Sequence, residues 1–503
     1  MDGGGAGAAS KLVDGAAAAR LSLGLGRGVR ASPPAATAWG EQPVRPFHRG
    51  NQGETAMRTT VATGSFPARK WRASAGLAAM ALAWAAGPGA AVAQDAPQVK
   101  IGFVTFLSGG AAGPFGVPAR NAAELVVDGL NAGKVPAPYQ TKGIAGAKIA
   151  SVIIDEAGGP QTQVAEYRKL VQKEQVDLVI GYISSGDCLA IAPVAEELKK
   201  LTVFFDCGTP QIFEDAVTSP KYLFRTGPHA TMDSVAAARY LLEVKPGIAK
   251  IAGINQNYAW GQDSWRDFAA AMQALKPGVQ VVSEQFPKLY AGQYGSEISA
   301  LLTAGADAVH SSFWGGDMEA FIFQGAARGL FGRTQVLLSP GETAMHRLGK
   351  QMPDGTILGG RGPHGDFAPK SELNDWFRKE YFDRYATWPT YPSYKMALAI
   401  LGVKAAYEKA AAGAGGKVPD QEAVIKAFEG LTYDSPSGKV WMALSKGHQA
   451  IQDTAYALSK FDKENGRATL DKVKVYKAKC VNPPEGVKSL DWIKGGFKGA
   501  ECN

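Results

Sequence analysis

The chain is short of most groups that catalysis and redox chemistry need. Four cysteines occur in 503 residues, and no two are spaced as C-x-x-C, which excludes a thioredoxin-like pair and a cysteine-rich zinc site. The five histidines beyond residue 93 (His229, His310, His346, His364 and His448) lack metal-ligand spacing. Walker A, G-x-S-x-G and H-E-x-x-H sequences are absent. No metal, cofactor or enzymatic activity is therefore expected. No run beyond the first 93 residues approaches the roughly 20 apolar residues of a spanning helix. Charge of one sign is also missing where it matters. The chain holds 54 Lys/Arg against 46 Asp/Glu, but residues 1–93 carry 10 and 4 of these, which leaves 44 and 42 for the remainder. That balance leaves no nucleic-acid footprint.

The excess of positive charge belongs to a leader. Arg69, Lys70 and Arg72 precede an apolar stretch, Ala75 to Ala86, followed by Ala91-Val92-Ala93. This is the pattern of a secretory signal, with cleavage expected after Ala93 and a mature chain from Gln94. Met57 is a natural start for such a signal, so 57–93 reads as signal peptide and 1–56 as a non-native or disordered extension. No cysteine precedes Cys188, so a lipid anchor on a cysteine at the cleavage point is not available. An even number of cysteines in an exported chain suggests two disulfides. Cys480 with Cys502 would tie down a Gly/Lys-rich tail, worth roughly 3 kcal/mol by loop entropy. For Cys188 and Cys207, a disulfide and two buried free thiols both remain open.

From Val99 onward short apolar runs alternate with amphipathic stretches. Strands are expected at 99–106, 147–155, 176–182 and 201–206, then at 248–255, 279–286, 307–314 and 334–339. Between them, sequences such as "QVAEYRKLVQ" place Val164, Tyr167, Leu170 and Val171 on one helical face. The rhythm predicts an α/β fold of two doubly wound parallel-sheet domains. "SPKYLFRTGPHA" (219–230), "TILGGRGPHGDFAP" (356–369) and a stretch near 435–461 read as three crossings between them, a three-stranded hinge that lets the body close on a ligand. The expected division is 98–220 plus 363–436 for one lobe and 221–362 plus 437–503 for the other. Gly360 to Gly365 formally match G-x-G-x-x-G, but Pro363 has no N–H to offer a phosphate, so a glycine-rich crossing is the better reading.

Ligands of open parallel sheets bind beyond the carboxyl ends of the strands. The loops there carry Phe115, a core or wall residue; Ser184 and Ser185; and Thr209 ahead of Pro210. Two hydroxyl residues at adjacent helix starts favour anion binding over simple capping. The second domain offers Tyr258, Trp260 and Trp314 beside glycines, and Glu342, either an ammonium partner or an ordinary loop carboxylate.

The order and spacing of "IGFVTFLSGGAAGPFG", "LVIGYISSGDCLAIAPVAEE", "YLFRTGP", "NYAWGQD" and "AARGL" resemble the periplasmic branched-chain amino-acid-binding proteins of ABC transporters, over residues 98 to about 475. The resemblance implies the type I periplasmic binding fold and a periplasmic monomer that closes on a small molecule and delivers it to a membrane permease. Position by position it implies that Ser185 and Thr209 take a ligand carboxylate and that the Cys207 carbonyl takes its amino group. It puts Trp260 where the family has a tyrosine, Trp314 to Asp317 at a second-domain aromatic, Glu342 near the ammonium partner and Phe115 against the ligand side chain. Asp187 and Asp206 depart from the pattern: both would oppose an anion unless turned away or capped. An amino acid with an apolar side chain is the first ligand implied, and an aromatic or other small carboxylate or amide the alternative. An exported ligand sensor is a further reading.

Overall fold

The computed structural model describes residues 97–415 and 417–502. The expected signal peptide and the extension before it lie outside the described residues. The chain begins with β1 (Gln98–Thr105), β2 (Lys148–Asp155), β3 (Leu178–Gly181), β4 (Thr202–Phe204) and β5 (Leu223–Arg225), paired in parallel in the order β5-β4-β3-β1-β2. It then builds a second sheet from β6 (Lys250–Ile254), β7 (Gln280–Gln285), β8 (Ala308–Ser311), β9 (Gln335–Leu338) and β10 (Ile357–Gly359), in the order β10-β9-β8-β6-β7. β11 (Thr432–Ser435), β12 (Gly438–Leu444) and β13 (Gln449–Ile451) return to the first sheet, and β14 (Thr454–Asp462) and β15 (Arg467–Tyr476) complete the second.

The central strands are apolar on both faces because helices cover both: β3 (LVIG) and β9 are buried almost throughout, while the outer β7 (QVVSEQ) stays partly exposed. Two α/β lobes of the type I periplasmic binding fold result, as expected. Three segments pass between the sheets: after β5 at Thr226 to His229, after β10 at Gly360 to His364, and at Gln452-Asp453 between β13 and β14.

The expected lobe boundaries at 220/221 and 436/437 are displaced. β5 still pairs with β4, and Gln449 of β13 pairs with Arg225 of β5, so 438–451 belongs to the first sheet. The turn residues at 435–438 close a hairpin, Ser435 opposite Gly438, rather than a crossing. The tail after β15 packs Trp492, Ile493 and Phe497 into the second lobe's core. Cys480 joins Cys502, and Cys188 joins Cys207, with Cα separations of 4.5 and 6.4 Å.

Candidate functional site

At the end of β3 the chain turns through Tyr182 (φ 76°), which aims two successive N–H groups at one carboxylate. Ile183 N and Ser184 N donate to Glu156 at 2.7–3.0 Å. Burial, with Asp187 and Asp206 nearby, pushes the Glu156 carboxyl well above its usual range. Ser184 is the helix cap: its Oγ accepts from Asp187 N at 3.5 Å. Asp187 itself is turned inward and is pushed up to about 7 by burial. Ser185 does something else. Its Oγ accepts from Gly208 N at 3.1 Å and Thr209 N at 3.2 Å, tying the loop after β4 to the start of the helix Ser185–Glu197. A hydroxyl that accepts twice keeps its own proton to donate, and Ser185 lines the cleft cavity.

Thr209 does not face that cavity. Its Oγ1 donates to Asp263 of the opposite lobe at 2.5 Å, and Gln211 Nε2 donates to the same carboxylate at 2.9 Å. The expected carboxylate partner is thus a latch between the lobes. The Cys207 carbonyl, expected to take an ammonium group, accepts from Arg225 Nη1 at 2.9 Å.

The centre of the cleft is an ion cluster. Arg361, on the glycine-rich crossing, reaches Asp206 of the first lobe (2.7 Å) and Asp233 at the start of the second lobe's first helix (3.0 Å), and its Nη2 donates to Pro228 O at 3.2 Å. Lys395 adds a second cation to Asp206 at 2.7 Å. All four side chains are buried. Burial disfavours every charge here. It pushes Lys395 down to about 8, with Arg361 adding to the effect, and it raises Asp233. For Arg361, burial is outweighed by Asp206 and Asp233, which hold its proton more firmly than usual. Asp206 is therefore capped by two cations instead of opposing a ligand anion.

Aromatic rings enclose this cluster. The guanidinium lies 4.2 Å from the Trp260 ring centre and 5.7 Å from that of Tyr391. Trp260 Nε1 donates to Ser312 O (2.9 Å) and Trp314 Nε1 to the Tyr258 hydroxyl (2.7 Å), fixing both indoles. Phe115 sits behind this wall, its ring 5.2 Å from Trp314 and 5.3 Å from Tyr391, so it supports the lining rather than forming it. Gly208 is required: a Cβ there would lie 2.2 Å from the Trp260 ring. The cavity among Ile183, Ser185, Asp206, Gly208, the four rings and Arg361 measures about 10 Å³, barely room for one water. A ligand enters only when the lobes part or Trp260 swings aside.

Two further expected residues, Asp317 and Glu342, also stand away from the cavity. Asp317 accepts from Gln256 Nε2 (2.7 Å) and Tyr290 N (2.8 Å), holding loops of its own lobe. Beside it, Gly316 N donates to Gly110 O across the cleft at 3.0 Å. Glu342 is fully buried, accepts from Tyr391 N at 2.9 Å, and leaves Oε1 without a partner. Burial pushes it up to about 7, against His346 and the Tyr391 N–H. The folded protein thus keeps a proton that the unfolded chain loses near 4.5, so this group's stabilisation fades as pH rises from about 4.5 to about 7. Glu342→Gln, which preserves the acceptor, is expected to remove that part of the pH dependence and to gain about 2 to 3 kcal/mol near pH 8; urea unfolding across pH measures it.

Arg361, Lys395 and Tyr391 complete the site beyond the residues singled out from sequence, and Tyr258 lines it beside the two tryptophans it was grouped with. An arginine between glycines at a crossing was the available signal for the first.

A family model described as periplasmic binding protein matches residues 98–466. The chain belongs to the periplasmic binding protein family. Among solved structures, a solute-binding protein of an ABC transporter from Rhodopseudomonas palustris BisB5, in complex with 3,4-dihydroxybenzoic acid, is 23% identical, with a TM-score of 0.63 over 76% of this chain and 98% of that one. A leucine-binding protein from Thermotoga maritima MSB8 is 18% identical, with a TM-score of 0.59 over 75% and 98%. An amino-acid ABC transporter substrate-binding protein from Pseudomonas fluorescens Pf-5 is also 18% identical, with a TM-score of 0.63 over 75% and 96%. At these identities the likeness to all three is one of fold. Comparison with curated proteins yields no match.

Proposed function

We propose that the protein is an exported solute-binding protein that captures a small aromatic carboxylate in the cleft and hands it to an ABC-type membrane permease. The observation that carries this reading is the lining: four aromatic side chains (Tyr258, Trp260, Trp314 and Tyr391) around the Arg361 guanidinium and the Ser185 hydroxyl. A flat ring entering between the indoles gains apolar burial and edge or face contacts. Its carboxylate finds the Ser185 O–H and the buried cation. Glu342, the expected partner for an amine, is turned to Tyr391 N instead. The 3,4-dihydroxybenzoic acid of the Rhodopseudomonas structure is of the same chemistry.

A second reading, an amino acid with an apolar side chain, is favoured by one oxygen. Asp206 lines the cavity and its Oδ2 is buried without a hydrogen bond, a place where an ammonium group would dock. A thermal-shift panel of benzoates, hydroxybenzoates, apolar amino acids and amides separates the two. A ligand at 100 times its dissociation constant adds about 2.7 kcal/mol. The aromatic-carboxylate reading predicts shifts with benzoates and none with leucine; leucine alone shifting the protein would overturn it. Ser185→Ala is expected to weaken the productive ligand by roughly ten- to a hundredfold, the loss of one hydrogen bond to a charged group.

A further inference from the structure

Beside the crossing that follows β5 lies a second cavity, of about 300 Å³. It is bounded by Phe213 and Glu214 of the first lobe, by the crossing residue His229, and by the tail from Pro483 to Lys488. Arg225, at the end of β5, points into it and is 1% exposed. Every partner of its guanidinium is neutral: Nε donates to Gln449 Oε1 (2.5 Å), and Nη1 to the carbonyls of Cys207 (2.9 Å) and Thr209 (2.5 Å). Among the described residues Arg225 forms no ion pair and its Nη2 makes no hydrogen bond. Burial, with Arg361 adding to it, pushes this guanidinium down to about 9, and Glu214 and Asp263 offset its charge from a distance without touching it. The group stays protonated near neutral pH, and burying a charge with no direct counter-ion is costly.

A second buried group lines this cavity. Burial, with Arg225 and Arg361 nearby, keeps the His229 imidazole neutral; its Nδ1 is enclosed without a hydrogen-bond partner, which leaves Nε2 as the ring nitrogen able to meet a ligand. The carboxylates on the wall are already engaged: Glu214 Oε1 accepts from Ser489 N and Oγ, and Glu485 Oε1 from Lys446 N. Lys446 and Lys488 stand at the rim, the latter paired with Asp215 at 2.7 Å. We infer that this cavity is a binding site for a small oxyanion or carboxylate, held by Arg225 Nη2 and by His229, and separate from the cleft. Neither residue lines the cleft cavity, so the site stands or falls independently of what the cleft binds.

Selenate, which mimics sulfate and scatters anomalously, is the probe. Crystals soaked in selenate are expected to show an anomalous peak within hydrogen-bond reach of Arg225 Nη2, and calorimetry on the chain from Gln94 a saturable one-to-one isotherm. Arg225→Gln should weaken binding roughly thirtyfold or more. Because that arginine also holds two carbonyls, a second variant leaves it in place. Val487 lies at the mouth and is exposed, so Val487→Trp fills the cavity without touching the core, and about a tenfold loss is expected. Absence of the peak overturns the inference. So does a peak without a saturable isotherm, which marks an adventitious ion only, or a Val487→Trp variant that binds selenate as tightly as the parent.

Discussion

Replacing Arg361 with glutamine is expected to lower stability by about 3 to 5 kcal/mol, the cost of removing one partner from a buried ion cluster. The substitution leaves Asp233 with no cation in contact and Asp206 with only Lys395. The loss should depend on pH in a definite sense. Burial already raises the Asp233 carboxyl, and without the guanidinium it rises further. A carboxyl whose folded pKa is raised loses stabilisation as pH increases, so the deficit is expected to be smaller near pH 5 than near pH 8. Urea midpoints at the two pH values test this. An unchanged midpoint at both would mean that the cluster does not hold the lobes and the crossing together.

Gly208→Ala is expected to act on closure rather than on folding. The added methyl would lie 2.2 and 2.3 Å from two Trp260 ring carbons and 2.8 Å from Arg361 Nη2. Gly208 has no left-handed backbone conformation to lose, so the first lobe accepts alanine locally. The clash comes from the opposite lobe. Overpacking of this kind costs about 1 to 3 kcal/mol, here charged to the closed state alone. Ligand affinity should fall by roughly ten- to a hundredfold, with a larger radius of gyration in solution scattering and an almost unchanged unfolding midpoint. Trp260→Ala in the same chain should restore compactness, though not the aromatic wall. Full affinity in the single variant would show that Trp260 does not lie over Gly208 when ligand is held.

The strands legible in sequence are those whose short apolar run is followed by a helical pattern. β1 to β4 and β6 to β9 have such a setting, even where the strand is as short as β4 or as exposed as the outer β2 and β7, and their boundaries fall within a few residues of expectation. β5 and β10 have three residues each. They lie in Pro- and Gly-rich surroundings that read as crossings, which they also adjoin. The hairpin at Ser435 to Gly438 misleads for a related reason, since turn chemistry marks a reversal without saying which sheet receives the next strand.

The site divides in the same way. Ser184, Ser185 and Thr209 were visible because strand ends followed by hydroxyl residues form a local pattern, but their roles depend on distant partners. Thr209 finds Asp263, 54 residues on, and Ser185 finds the loop at Gly208. Arg361 meets Asp206 and Asp233 across 155 and 128 residues, and Glu342 meets Tyr391 across 49. No window of sequence carries such pairings. Asp206 read as an obstacle to an anion because its two cations come from other parts of the chain.

The most direct test of the central claim is calorimetric titration of the chain from Gln94 with 4-hydroxybenzoate. A cleft walled by four rings around a buried guanidinium predicts a saturable one-to-one isotherm with a negative heat-capacity change, the mark of apolar surface buried on closure. No heat with this ligand, alongside a one-to-one isotherm with leucine, would contradict the account and move the ammonium site to Asp206.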